Sequence, residues 1–325
     1  MDTRSLTRAA TLWTLVISAT ALAQQAGPDD VVAVRARDVH GRAIVVDTHD
    51  DTTQRWLSDP AFDLGASHST GNIDIPRMRQ GGLDALFFSI YMPGDVTGPL
   101  AVKRALQQID KVREAVRAHP RELLLATSAA DIRRAVAERK IAALMGMEGG
   151  HMIDASHSSC RAISNSPRNM SDDMLRALAR NGGVIMINYH LDFISEAFRT
   201  AKPPAAVQAQ LDGAAKQCGK DEACLILDWS RIYHEAMNNR QMPIVGWTEI
   251  VDHIEHVVKV AGIDHVGLGS DFDGAIMPLG MEDASKLPKI TGELLRRGYS
   301  ERDVTKILGG NVLRVMEQAG LERRR

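Results

Sequence analysis

Imidazole and carboxylate groups cluster at the ends of two apolar runs, Val45-Val46-Asp47-Thr48-His49-Asp50-Asp51 and Leu144-Met145-Gly146-Met147-Glu148. Side chains two apart on a strand share a face, so His49 and Asp51 can grip one ion. Glu148, arriving from another strand end, can bridge that ion to a second. A third run, Val266-Gly267-Leu268-Gly269-Ser270-Asp271-Phe272-Asp273-Gly274, also ends in acids. Packing alone does not call for such groups at several strand-to-loop junctions. A mixed imidazole and carboxylate set suits zinc better than magnesium or calcium.

These groups need strands that end together. Residues 31–40 read as an amphipathic lead-in helix and 43–49 as the first strand, followed by a polar loop over 67–74 and a second strand over 83–91. Val102, Ala105, Leu106, Ile109, Val112 and Val116 recur at helical spacing up to His119-Pro120. A helix over 130–139 leads into a strand over 141–147. Ser171 caps a short helix ending at Asn181-Gly182-Gly183, a strand covers 184–188, Thr248 caps a further helix, and a strand covers 265–268. Residues 300–315 close the chain as a helix broken near Gly309-Gly310-Asn311. Alternating strands and helices imply parallel strands with right-handed crossovers. Strands thus end before His49, Met92, Glu148, Tyr189 and Ser270, with a sixth near His157, whereas a closed barrel of this type needs eight.

The chain has 325 residues, 44% hydrophobic and 25% charged, enough for one large domain. A net charge of -2 provides no electrostatic footprint for nucleic acid or an anionic membrane. Residues 1–23 read as a signal peptide: Arg4 and Arg8 precede a short apolar stretch, and Ala21-Leu22-Ala23 is a cleavage pattern before Gln24. The expectation is an exported, periplasmic or secreted protein, with no stable membrane span in the mature chain. Residues 24–325 are then a single barrel domain with a helical insertion near 197–239, where Pro203-Pro204 and the cysteine pair fall.

Cys218 and Cys224 bracket a polar loop, and a disulfide between them fits an oxidising compartment. Cys160 has no identified base and reads as a buried thiol. His234-Glu235-Ala236-Met237-Asn238 begins like a zinc-binding helix, but Asn238 stands where the second ligand belongs. His253 and His256 share a helix whose aliphatic neighbours mark packing. His190 faces either the site or the core, His68 and Asp74 either line an entrance or order their loop, and Asp273 either orders its loop or takes part in the chemistry.

Taken in order, the segments His49-Asp50-Asp51, Glu148-Gly149-Gly150-His151, His157-Ser158-Ser159, Pro167-Arg168-Asn169-Met170-Ser171-Asp172-Asp173 and Gly269-Ser270-Asp271-Phe272-Asp273-Gly274 resemble the renal or membrane dipeptidase family of zinc peptidases. The resemblance covers nearly all of the mature chain. It implies an α/β, TIM-barrel-like metal-dependent hydrolase with two zinc ions that cleaves dipeptides. By this resemblance, His49 and Asp51 hold the first zinc, Glu148 bridges, and His157 holds the second. Arg168 receives the substrate's terminal carboxylate, His151 lies on the substrate side, and Asp271 is the acid/base.

The chain departs from the family after His151. Residues 151–154 run almost directly into Ala155-Ser156-His157, where the family has a strand ending in Thr-His and a later one ending in Ser-His or Ala-His. Two βα units, about 60 residues at roughly 30 each, are missing, which matches the strand deficit. An incomplete barrel is therefore expected. Its first zinc keeps three protein ligands and an open position, while its second keeps two and is weak or empty, so one ion is expected where the family holds two. The alternative is a catalytically impaired relative that retains a mononuclear zinc or a peptide-carboxylate site. Pairing of two copies into a homodimer is left open.

Overall fold

Apolar runs that end in polar residues form a parallel sheet of six strands. In a computed structural model, which describes residues 28–94, 96–148 and 156–322, these are β1 (Val46–Asp50), β2 (Ala85–Tyr91), β3 (Leu123–Leu125), β4 (Ile141–Glu148), β5 (Ile185–Ile187) and β6 (Val266–Leu268). Their order is β3-β4-β2-β1-β6-β5. Every neighbouring pair is parallel, and β4 runs alongside β2 from Ala142 opposite Ala85 to Glu148 opposite Tyr91. Beyond β5, Ser158 makes one further parallel bridge to Ile187. The strand expected near His157 is therefore a single bridge, and β3 is a short strand that the sequence pattern did not reveal. The architecture is TIM-barrel-like, but among the described residues the sheet does not close.

Strand alternation sorts the core into two faces. Leu86, Phe88 and Ile90 of β2 share a cluster with Ile141 and Ala143 of β4, Ile187 of β5 and Leu268 of β6. Val112, Leu175 and Ile254, from helices Pro99–Ala118, Asp172–Arg180 and Thr248–Ala261, complete that layer. The opposite face carries Val46, Ala85, Ala142, Leu144 and Met186. In a closed barrel such residues fill the interior in layers from the other strands. Here they cluster with Ile132 and Ala135 of helix Ala129–Ala137 and with Val312 and Leu313 of helix Asn311–Glu322. The small side chains of Ala85 and Ala142 give these helices room to approach.

Local chemistry sets the helix ends. Ser171 Oγ accepts from Met174 N and Ser128 caps Ala129–Ala137 in the same way. Thr248 does not cap its helix: the N-cap is Trp247, which makes no side-chain cap bond, and the Glu249 carboxylate instead accepts from Gly246 N at 3.1 Å. The closing helix is interrupted by a wide turn over Lys306–Gly310, where Gly309 packs against the backbone of Ile44. Residues 197–239 contain helices Ala205–Cys218 and Glu222–Asn238, and a Cys218–Cys224 disulfide closes the corner between them. No described helix is long and apolar enough to cross a membrane. Residues 1–23, expected to be a signal peptide, lie outside the described residues.

His253 shows how a buried polar group ties segments together. Its Nδ1 accepts from Cys160 N at 2.9 Å and its Nε2 lies 3.1 Å from Ile194 O, so the neutral Nε2–H tautomer satisfies both. Burial depresses its pKa to about 4. A histidine that titrates near 6.5 when unfolded and near 4 when folded contributes stability that is full above pH 6.5 and is lost as pH falls through 4. Denaturant melts between pH 7 and pH 4 are expected to lose about 3 kcal/mol from this group. A His253→Gln variant should show a correspondingly shallower acid dependence.

Candidate metal centre

The C-terminal ends of β1 and β4 and the loop after β6 bring the acids and histidines together. His49 is buried at the end of β1, with Nε2 3.0 Å from Glu148 Oε2, 3.6 Å from Asp51 Oδ2 and 4.0 Å from Asp271 Oδ1. His157 Nε2 lies 3.4 Å from the other Glu148 oxygen, and the two imidazole centroids are 3.7 Å apart. At these strand ends the groups His49-Asp51-Glu148 and His49-His157-Asp271 have ligand atoms close enough to share an ion. Arg168 donates from Nη2 to His157 Nε2 at 2.8 Å. Among the sequence candidates, His151 alone lies outside the described residues.

The loop after β6 is laced to the end of β1. Asp271 N donates to His49 O at 3.1 Å and Asp51 N to Phe272 O at 2.8 Å. Asp271 and Asp273 both take left-handed backbone angles, with φ of 67° and 60°, a region that Asp enters more readily than most residues. Gly274 is needed because a Cβ there would collide with the Asp51 and Asp271 carboxylates. Asp273 accepts from Asn72 N at 2.6 Å and from Thr52 Oγ1 at 2.9 Å, so it orders the loop.

Crowded acids in a buried site perturb one another. Burial works against charging His49, but Asp51, Glu148 and Asp271 outweigh it and hold its pKa well above the ordinary value. Burial likewise opposes ionisation of Glu148, yet the two histidines and Ser89 Oγ, 3.0 Å away, bring it down to about 2. His157 falls to about 3, through burial first and then the neighbouring His49 charge. Burial raises Asp271 well above the carboxylate range, with His49 opposing and Asp51 and Glu148 adding to the rise, while Asn188 Nδ2 donates to its Oδ2 at 2.9 Å.

The donor set fits a metal ion. His49 Nε2 and Asp51 Oδ1 are buried without a hydrogen-bond partner among the described residues, although Glu148 lies close, and a cation would relieve both. His157 offers less, because its Nε2 already accepts from Arg168. Beside these groups opens a cavity of about 390 Å³, whose lining includes Glu148, His157, Arg168, Asp271, Trp229 and Tyr233. A second cavity of about 270 Å³ lies on the unclosed face of the sheet, among Phe87, Met145, Met186 and Met316.

The weaker candidates are accounted for by packing or loop order. Asp74 caps helix Ile75–Gln80 by accepting from Arg77 N, and His68 stacks on Phe62. His234 bonds to Met277 O and His256 to Asp172. Cys160 is buried, which pushes its thiol up to about 12. His190 lines the cavity, with Nδ1 accepting from Ile276 N. Ser89, Ser156 and Asn188, which touch the candidate ligands, were not singled out from sequence. Each stands at or near a strand end, but the contacts themselves are long-range.

Comparison with known proteins agrees with this arrangement. The family model described as membrane dipeptidase (peptidase family M19) matches residues 33–156 and 153–325, so the match breaks where the two βα units are missing. Dipeptidase ataJ of Aspergillus terreus is 26% identical over 357 aligned positions, taking in 76% of this chain and 77% of that protein. That span exceeds the length of the chain, so the relative carries residues where this chain has none. A Rhodobacter sphaeroides metallopeptidase, crystallised with a phosphinate mimic of L-Ala-D-Ala, superposes with a TM-score of 0.66 at 20% identity, covering 85% of this chain and 99% of that one. The probable dipeptidase PvdM of Pseudomonas aeruginosa also gives 0.66, at 21% identity over 87% of this chain and 97% of its own. The superpositions speak for the fold and the family match for descent and activity: this chain belongs to the membrane dipeptidase family, peptidase family M19, and is a metal-dependent dipeptidase.

Proposed function

We propose that the chain hydrolyses dipeptides with a zinc ion held by His49, Asp51 and Glu148. The observation that carries this reading is the buried His49 Nε2 with carboxylate oxygens of Glu148, Asp51 and Asp271 at 3.0, 3.6 and 4.0 Å. A zinc ion bound there would supply a Lewis acid that activates water near neutral pH and polarises the scissile carbonyl. His157 completes a second site only by giving up its bond to Arg168, so a single tightly held ion is the expected state.

The protein's own groups supply the remaining chemistry. Asp271, its carboxylate held by Asn188, takes a proton from the attacking water and delivers it to the departing amine. Arg168, placed by His157 and lying 5.6 Å from the centre of the Phe193 ring, offers further N–H donors of its planar fork to the dipeptide's free carboxylate. The cavity falls at the lower end of the range for small-ligand clefts, roughly 300–1,000 Å³, which favours short substrates. The Cys218–Cys224 disulfide is in keeping with export, for which residues 1–23 would be the signal.

Zinc content and hydrolysis of a simple dipeptide, measured on one sample, test the proposal. His49→Ala should lose the tightly bound ion and lower kcat/KM by at least about 10³-fold, since metal catalysis contributes several kcal/mol. Unchanged turnover in that variant would sink the metal assignment, and dipeptide binding without any turnover by the parent chain would make it a peptide-binding relative. Arg168→Met should raise KM about 10- to 100-fold, the equivalent of losing a charged hydrogen bond of about 1.5–3 kcal/mol, and leave zinc content unchanged. Secreted protein should begin at Gln24 on N-terminal sequencing; an intact residue 1 would refute cleavage there.

A further inference from the structure

We propose that Ser156 is a positioning residue whose single hydroxyl oxygen orients the zinc-binding imidazole of His49 and the neighbouring imidazole of His157 at once. The inference rests on the reading of His49 as a zinc ligand, with His157 beside it held by Arg168. Ser156 Oγ lies 3.2 Å from His49 Nδ1 and 3.1 Å from His157 Nδ1. The two rings stack with an interplanar angle of 32°, and both Nε2 atoms point toward Glu148.

Proton positions define what the oxygen does. A guanidinium has no acceptor, so the 2.8 Å contact between Arg168 Nη2 and His157 Nε2 requires a lone pair on that nitrogen. The neutral ring then carries its proton on Nδ1 and donates it to Ser156 Oγ. His49 must likewise free Nε2 to ligate an ion, which places its proton on Nδ1. A serine hydroxyl has two acceptor lone pairs, one for each ring. Alanine would offer neither, and both rings would be free to turn or to adopt the other tautomer.

The backbone at this point is held by bonds that do not pass through the Ser156 hydroxyl. Thr48 Oγ1 donates to Ser156 O at 2.8 Å, Ser158 N to Met186 O at 2.8 Å, and Asn188 N to Ser158 O at 2.9 Å. The segment is thus tied to β1 on one side and to β5 on the other by groups that survive a change of side chain at 156. Ser156→Ala removes one oxygen from the edge of the metal site, and Ser156→Thr returns it.

The test is zinc affinity of the full chain, measured by competition with a chromophoric chelator, alongside thermal melts in excess EDTA. Ser156→Ala should weaken zinc about 10- to 100-fold, the usual cost of losing a hydrogen bond to a ligating histidine, with an unchanged melt of the metal-free chain. Ser156→Thr should restore affinity. In a His157→Ala background, Ser156→Ala should still weaken the ion held through His49. Parent-like zinc binding by Ser156→Ala, a loss that threonine does not restore, a lowered metal-free melt, or no effect in the His157→Ala background would each overturn the inference while leaving the metal assignment intact. If His49→Ala binds zinc as tightly as the parent, the metal assignment itself falls and the inference falls with it.

Discussion

Three carboxylates brought within 4.0 Å of one imidazole nitrogen, largely out of water, form the constraint around which the rest of the molecule is organised. Like charges at such separations repel strongly where the effective dielectric is low, and a single protonated histidine cannot offset three of them. Such a gathering calls for a cation to offset the carboxylates, and burial already raises the pKa of Asp271 against its ionisation. Nearly every local oddity serves this gathering. The left-handed backbone at Asp271 and Asp273, the bare Cα of Gly274 and the cross-loop bonds from Asn72 and Thr52 fold one acidic loop back onto the end of β1.

The scaffold has to hold this gathering without a closed barrel. Closure normally gives each strand two neighbours and lets inward side chains fill the interior. Here Leu144–Glu148 of β4 pair with β2 on one side, β3 reaches only as far as Ala143, and at the far edge of the sheet Ser158 adds one bridge beyond β5. The helices Ala129–Ala137 and Asn311–Glu322 share a core with the inward residues, and an Arg133–Glu317 ion pair joins them at the surface. Ser156 and Thr48 span from the β5 side to β1, inside what would be the barrel lumen. Loss of two units thus leaves the strand ends that carry His49, Glu148 and Asp271 in register, because those strands are still consecutive neighbours in the order β4-β2-β1-β6.

Much of this was legible in the sequence because the signals are local. Apolar runs ending in polar residues mark the strands that end at His49, Glu148 and Ser270, and apolar stripes or caps mark the helices Pro99–Ala118, Ala129–Ala137, Asp172–Arg180 and Thr248–Ala261. The disulfide could be anticipated from a short polar loop between two cysteines. Leu123–Leu125 escaped because three residues carry too little alternation to be read. Thr248 looked like a cap because residue type favours it, while Glu249 satisfies the loop instead. The roles of Ser156, Asn188 and Asn72 were hidden for a different reason. Each is decided by a partner far away in the chain, and no pattern within one segment encodes that meeting.

The pairing of His157 with Arg168 bears on how few ions this site needs. A second ion would need the His157 Nε2 lone pair and the nearby Glu148 carboxylate. Here a guanidinium holds that nitrogen at 2.8 Å, with the Glu148 oxygen 3.4 Å from it. One lone pair cannot serve both. On the one-ion reading, Arg168 places fixed positive charge close to where the second ion would have been and directs its remaining donors toward the cavity. Part of the electrostatic task of a second ion would then pass to a guanidinium, which is part of the chain and is not lost to a chelator.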